Sequence, residues 1–300
     1  MVFRPVYGWL DRGAWELGGR ICRPDGEYYP APFSPEPVIT SPQQVDSLPD
    51  PDPETAGMNP LAARFNSRCQ EYGFRAMLPG GTPTAMSSSI VGKSRFLVWM
   101  ARYPEAVHKL QRKVTNFILR TVELTIKKYG GSRCSVMCAV PAESNQLISP
   151  KLFELLCKPY IKEIMDYYLS EGVKNTMVHL CGDHTANLHH WADIPLPRRT
   201  VFSIGSDMNV EKTSHFLGND FVLGGNLATS ILATGSVQQV REEVKRCLRS
   251  GMKHPGGFML MPACEIPPDT PLETIDAIAE ALFDFGYYTD TTQTTGDRMS

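Results

Sequence analysis

Residues 104–140 read PEAVHKLQRKVTNFILRTVELTIKKYGGSRCSVMCAV, and this stretch decides the fold. Val107, Leu110, Val114, Phe117, Ile118 and Leu124 fall on one stripe of a helix over 104–128. Gly130-Gly131 stops it, because a left-handed C-terminal residue costs least in glycine. The run 134–140 is then apolar without alternation, as a parallel strand covered on both faces requires. Working outward, similar runs occur at 74–78, 176–180, 200–204, 221–223 and 257–261, each ending in small or polar residues. The segments between them carry helix-start signals: Ser149-Pro150, Ser236 with Gln239, and Thr270-Pro271 with Glu273. Six βα units over 74–290 fit a (β/α)8 barrel better than an open sheet, and in such barrels chemistry sits where the strands end.

Length and composition agree with one large domain spanning 1–300. The chain has 300 residues, 42% of them hydrophobic and 21% charged, so wholesale disorder is excluded. Net charge is −2 and the basic residues are scattered, which argues against a nucleic-acid or polybasic membrane surface. No apolar run reaches the roughly 18 residues of a membrane span, and no apolar leader follows Met1, so a cytoplasmic protein acting on small molecules is expected. Eight cysteines are few for this length and do not suggest a disulfide framework. Residues 1–60 are rich in Pro, Gly and Asp without a sustained period, and read as irregular covering structure. Gly80-Gly81-Thr82-Pro83 does not fit a dinucleotide fingerprint, and neither a P-loop nor a Gly-x-Ser-x-Gly elbow occurs.

The chemistry gathers at His179-Leu180-Cys181-Gly182-Asp183-His184. Residues two apart on a strand face the same way, so His179 and Cys181 present imidazole and thiolate to one point. Cys264 lies just past the end of a later strand, across the mouth of a barrel. One nitrogen and two sulfurs suit Zn²⁺, and three protein ligands with one open position mark a catalytic site. The alternative is two core cysteines and a hydrogen-bonded histidine. With zinc, the fourth position falls to water, Glu143, Asp183 or a substrate thiol. A zinc-bound thiol is held as thiolate, matched to alkylation at a methyl carbon.

With these residues the chain resembles the uroporphyrinogen decarboxylase superfamily, and within it the corrinoid-dependent methyltransferases of the methylcobamide:coenzyme M type. The segments that carry the resemblance are Ser41-Pro42 to Pro53, Gly80 to Thr84, Leu147 to Phe153, His179 to Asp183, Gly224-Gly225-Asn226-Leu227 and Cys264 to Pro271. The resemblance implies a (β/α)8 barrel, Zn²⁺ on His179, Cys181 and Cys264, and a methyl group moved between a corrinoid and a thiol or other methyl carrier. The corrinoid, methylcobalamin or a relative, would ride on a separate small protein, since no Asp-x-His-x-x-Gly motif occurs here. Porphyrinogen decarboxylation and a non-catalytic barrel subunit are the rival readings. Nothing before Trp15 resembles the first βα unit of the family; residues 1–9 would supply at most the second strand. The N-terminal unit is then truncated, differently closed or supplied by another chain, and an open sheet edge would invite association of copies.

The remaining expectations concern the mouth. Glu143 and Asp183 are assigned catalytic roles, and Asn145, Asp207 and Asn226 substrate contacts, because they follow strand ends. Cys134, Cys138, Met77, Met259 and Met261 are expected to fill the barrel, and His184 to join a surface cluster with His189 and His190. Tyr287-Tyr288 is expected to pack against the barrel.

Overall fold

Strands and helices alternate along the chain as the apolar runs require. This computed structural model describes residues 12–22 and 33–288. Its strands are β1 (Ala76–Met77), β2 (Cys134–Ala139), β3 (Asn175–Leu180), β4 (Val201–Ile204), β5 (Val222–Leu227) and β6 (Phe258–Pro262). Every pairing is parallel and the spatial order follows the chain from β1 to β6, the succession that builds a (β/α)8 barrel. The helices before β2 are α1 (Arg12–Glu16), α2 (Asn59–Glu71), α3 (Pro83–Val91), α4 (Lys93–Arg102) and α5 (Pro104–Tyr129). After it come α6 (Pro150–Leu152), joined by a π turn at Phe153–Cys157 to α7 (Lys158–Ser170), then α8 (Leu188–Trp191) and α9 (Val210–Leu217). The last are α10 (Thr229–Thr234), α11 (Val237–Gly251) and α12 (Leu272–Phe285). The proposed strand within residues 1–9 lies outside the described residues.

Continuous apolarity in β1 to β5 reflects burial on both faces, whereas β6 is only half-buried. Val178, Leu180, Phe202, Ile204 and Leu223 are buried together with Val107, Leu110, Val114 and Phe117 of α5 in the main core. A smaller cluster joins Leu227 of β5 to Val240 and Val244 of α11 and Ala277 and Ala281 of α12. Two of the expected helix starts are capped: Ser149 accepts from the Leu152 N–H, and Ser236 and Gln239 form a reciprocal capping box. The third is not. Pro271 is the N-cap residue of α12, which moves Thr270 one residue outside the helix, and its buried hydroxyl has no hydrogen-bond partner among the described residues.

Other expectations are corrected at the ends of the sheet. The described residues within 1–60 are largely irregular and hold α1, the 3-10 turn Pro42–Val45 and the first residues of α2. Met259 does not fill a barrel: β6 pairs only with β5 among the described residues, and Met259 is 45% exposed. Tyr287 and Tyr288 lie in solvent rather than against the sheet. At the other end, β1 is not a bare edge. The Asn66 side chain of α2 accepts from the Met77 N–H at 2.8 Å and donates to the Met77 carbonyl at 2.9 Å, standing in for a strand.

Candidate metal centre

β3 delivers the first two donors. His179 is paired in register with Ala139 of β2 and Ser203 of β4, and its Nδ1 meets the Ser203 hydroxyl at 3.1 Å. Cys181 stands one residue past the strand end, followed by Gly182 at φ +82°, a left-handed turn that glycine adopts without a Cβ clash. β6 delivers the third. The Ala263 N–H donates to the Leu227 carbonyl at 2.8 Å, continuing the β5 ladder and setting Cys264 beyond it.

The ligand atoms of His179, Cys181 and Cys264 lie within 4.8 Å of one another, and among the described residues no other side chain joins them. The sulfurs are 3.7 Å apart. Two sulfurs at about 2.3 Å from a tetrahedral zinc sit about 3.8 Å apart, so the donor set fits that ion in kind and spacing. The hydrogen bond between the sulfurs, seconded by His179, pulls the Cys264 thiol down to about 4 and pushes Cys181 well above its ordinary value. His179 is buried, Cys181 half-buried and Cys264 exposed, so the cluster opens toward solvent on the Cys264 side. The cavities of about 590 and 370 Å³ lie elsewhere, against α1, α2 and α5.

None of Glu143, Asp183 and Asp207 joins the cluster. Glu143 is completely enclosed rather than turned to the open face, and burial pushes its carboxyl up to about 7. The Thr82 and Thr84 hydroxyls temper that rise, yet neither carboxyl oxygen has a well-formed hydrogen bond. Asp183 accepts from the Thr185 N–H at 2.8 Å, while its carbonyl accepts from the Asn145 N–H at 2.7 Å. Asn145 donates to Asn187 at 2.9 Å and accepts from the Ala186 N–H at 3.0 Å. Asp207 is exposed at the rim and accepts from Gln146 at 2.9 Å. Asn226 is 1% exposed and donates to the Gly205 and Met208 carbonyls, so it braces the turn after β4.

His184 departs from its expected surface place. It is fully buried, its Nε2–H donates to the Val140 carbonyl at 3.0 Å, and burial lowers it to about 4, keeping it neutral. Cys134 and Cys138 are core residues, as expected. The sequence reading passed over Ser203 and Gly205. Only the β3–β4 register reveals them, since Ser203 is one of several polar residues at strand ends.

Parallel strands here bring a histidine and two cysteines to one point, a candidate metal site at the strand ends of an α/β barrel. The match to a family model narrows it: uroporphyrinogen decarboxylase (URO-D) covers residues 13–285, and the chain belongs to that family. It is 29% identical over 149 residues to a methylcobamide:CoM methyltransferase MtaA of Methanosarcina barkeri strain Fusaro, covering 49% of this chain and 40% of the relative. A second M. barkeri protein of that name is 23% identical over 201 residues, 66% of this chain and 55% of the relative. The chain thus spans about half the length of the curated relatives it matches. A solved methyltransferase from Methanosarcina mazei shares the fold with a TM-score of 0.72 at 20% identity, over 94% of this chain and 79% of that one. No helix among the described residues is long and apolar enough to cross a membrane.

Proposed function

We propose that this protein is a zinc-dependent methyltransferase that moves a methyl group between a corrinoid, carried by a separate small protein, and a thiol. The observation that carries the reading is the convergence of His179, Cys181 and Cys264 with the two sulfurs 3.7 Å apart. The names of the M. barkeri relatives support the methyl chemistry. Zn²⁺ bound there would hold an acceptor thiol as thiolate at neutral pH. The chain's own part is to supply two soft sulfur donors, which keep the acceptor sulfur nucleophilic, and to leave the Cys264 side open for the methyl donor. The S–C bond would form with the acceptor sulfur's electron pair, and the pair of the broken Co–C bond would stay on the corrinoid as leaving group. Asp207 and Gln146 at the rim and Asn145 beside Asp183 would orient the acceptor's polar end, with Asn226 bracing the turn after β4. Glu143 and Asp183 then serve as shaping groups for the loops rather than as a fourth ligand.

The test uses zinc-loaded protein, free methylcobalamin and a panel of small thiols. Loss of the methylcobalamin spectrum with one thioether formed per methyl is expected, and Cys264→Ser should abolish it. A protein fully loaded with zinc that transfers to none of the thiols would favour the non-catalytic barrel. Metal-independent release of CO₂ from a porphyrinogen carboxylate would favour the decarboxylase.

A further inference from the structure

β4 contributes no ligand to the cluster, yet its Ser203 meets His179, and Gly205 just past its end packs against Leu180 and Gly182, the residues on either side of Cys181. Ser203 lies directly across from His179 in the sheet, is 2% exposed, and meets Nδ1 at 3.1 Å. That contact occupies one ring nitrogen, so Nε2 is the nitrogen left to face the sulfurs. For Nε2 to carry a free lone pair the proton must sit on Nδ1, and Nδ1–H then donates to the Ser203 oxygen. Two residues on, the Gly205 N–H donates to the Leu180 carbonyl at 3.0 Å. A Cβ at Gly205 would lie 2.5 Å from the Gly182 carbonyl oxygen and 2.9 Å from its nitrogen. The bare Cα therefore lets the Cys181-Gly182 turn close down against β4. Asn226 holds this arrangement from the far side, donating to the Gly205 carbonyl at 3.1 Å and to that of Met208 at 3.2 Å. The Asn226 side-chain oxygen in turn accepts from Arg246, which is paired with Glu243 at 2.7 Å.

We infer that β4 is the template of the centre: Ser203 is a positioning residue that fixes the His179 tautomer and ring, and Gly205 is the surface against which the Cys181 turn is set. This rests on the metal-site reading above and adds to it an assignment that the three ligands alone do not make. Two different contacts, a hydrogen bond to an imidazole and a steric fit to a backbone turn, place the nitrogen and the sulfur of β3 independently. Loss of either should therefore alter the metal site in its own way.

The experiment titrates Co²⁺ and Zn²⁺ into wild type, Ser203→Ala, Ser203→Thr and Gly205→Ala in competition with a chromophoric chelator. Folding is checked by circular dichroism, and the Co²⁺ spectra are recorded. Ser203→Ala should weaken Zn²⁺ roughly 10–100-fold with the sulfur-to-cobalt bands retained, and Ser203→Thr, which keeps the hydroxyl, should restore most of the affinity. Gly205→Ala should instead diminish the sulfur-to-cobalt intensity, because it displaces the turn that carries Cys181. Should Gly205→Ala fail to fold, the Ser203 pair still decides. Ser203→Ala binding as tightly as wild type with an unchanged Co²⁺ spectrum would overturn the inference while leaving the metal site intact. Wild type that binds neither ion would overturn the metal site itself, and the inference with it.

Discussion

Glu143 is the most heavily perturbed carboxyl in the candidate region, and its burial has a measurable consequence. Its folded value of about 7 lies above the ordinary 4.5, so the folded state binds the extra proton between those two pH values. Stability should then fall as pH rises from about 4.5 through 7, by on the order of 3 kcal/mol at most. Glu143→Gln removes this titration, so the loss of urea stability between pH 5 and pH 8 should be smaller in the variant than in wild type. An equal loss in both would mean that Glu143 ionises freely. Asn226 makes a second prediction at this scale. Asn226→Ala strips the buried Gly205 and Met208 carbonyls of a donor, and should lower stability by about 1–3 kcal/mol in urea unfolding. The His-x-Cys pair was legible from strand periodicity alone, whereas Asn226 shows why the rest was not. A polar residue at a strand end reads as a substrate contact until its neighbours are known, and here the amide nitrogen is taken up by two backbone carbonyls of the adjacent strand's turn and the oxygen by Arg246.

Among the elements, the six strands were legible because each carries an unbroken apolar run, which in β1 to β5 answers to the burial on both faces that a parallel sheet imposes. α2 was not. Of its 13 residues only Asn59, Asn66 and Cys69 are buried, so it offers no apolar stripe to read. Its contribution is polar: the Asn66 amide seals the β1 edge. Asn66→Ala should cost about 1–3 kcal/mol in unfolding free energy and leave the Met77 N–H and carbonyl open to pairing. Light scattering at raised concentration, compared between variant and wild type, reads the second effect; equal stability and equal scattering would show that the edge needs no cover. The α12 cap failed as a prediction for a local reason, since Pro271 sits where the capping hydroxyl was expected.

At the scale of the molecule, one architectural fact connects sequence to chemistry. Parallel strands all empty at the same end, so residues 83 positions apart, Cys181 and Cys264, meet through two strand termini. Local pattern supplies the first half of the centre, while the fold supplies the second. The central claim is that His179, Cys181 and Cys264 hold one zinc ion. The most direct measurement is elemental analysis combined with zinc X-ray absorption on the purified protein, wild type beside Cys181→Ser and Cys264→Ser. One zinc per chain with two sulfur neighbours and at least one nitrogen is expected in wild type, and a lost sulfur or lost metal in each variant. Wild type with well under one equivalent, or a zinc whose sulfur count neither substitution changes, would contradict it.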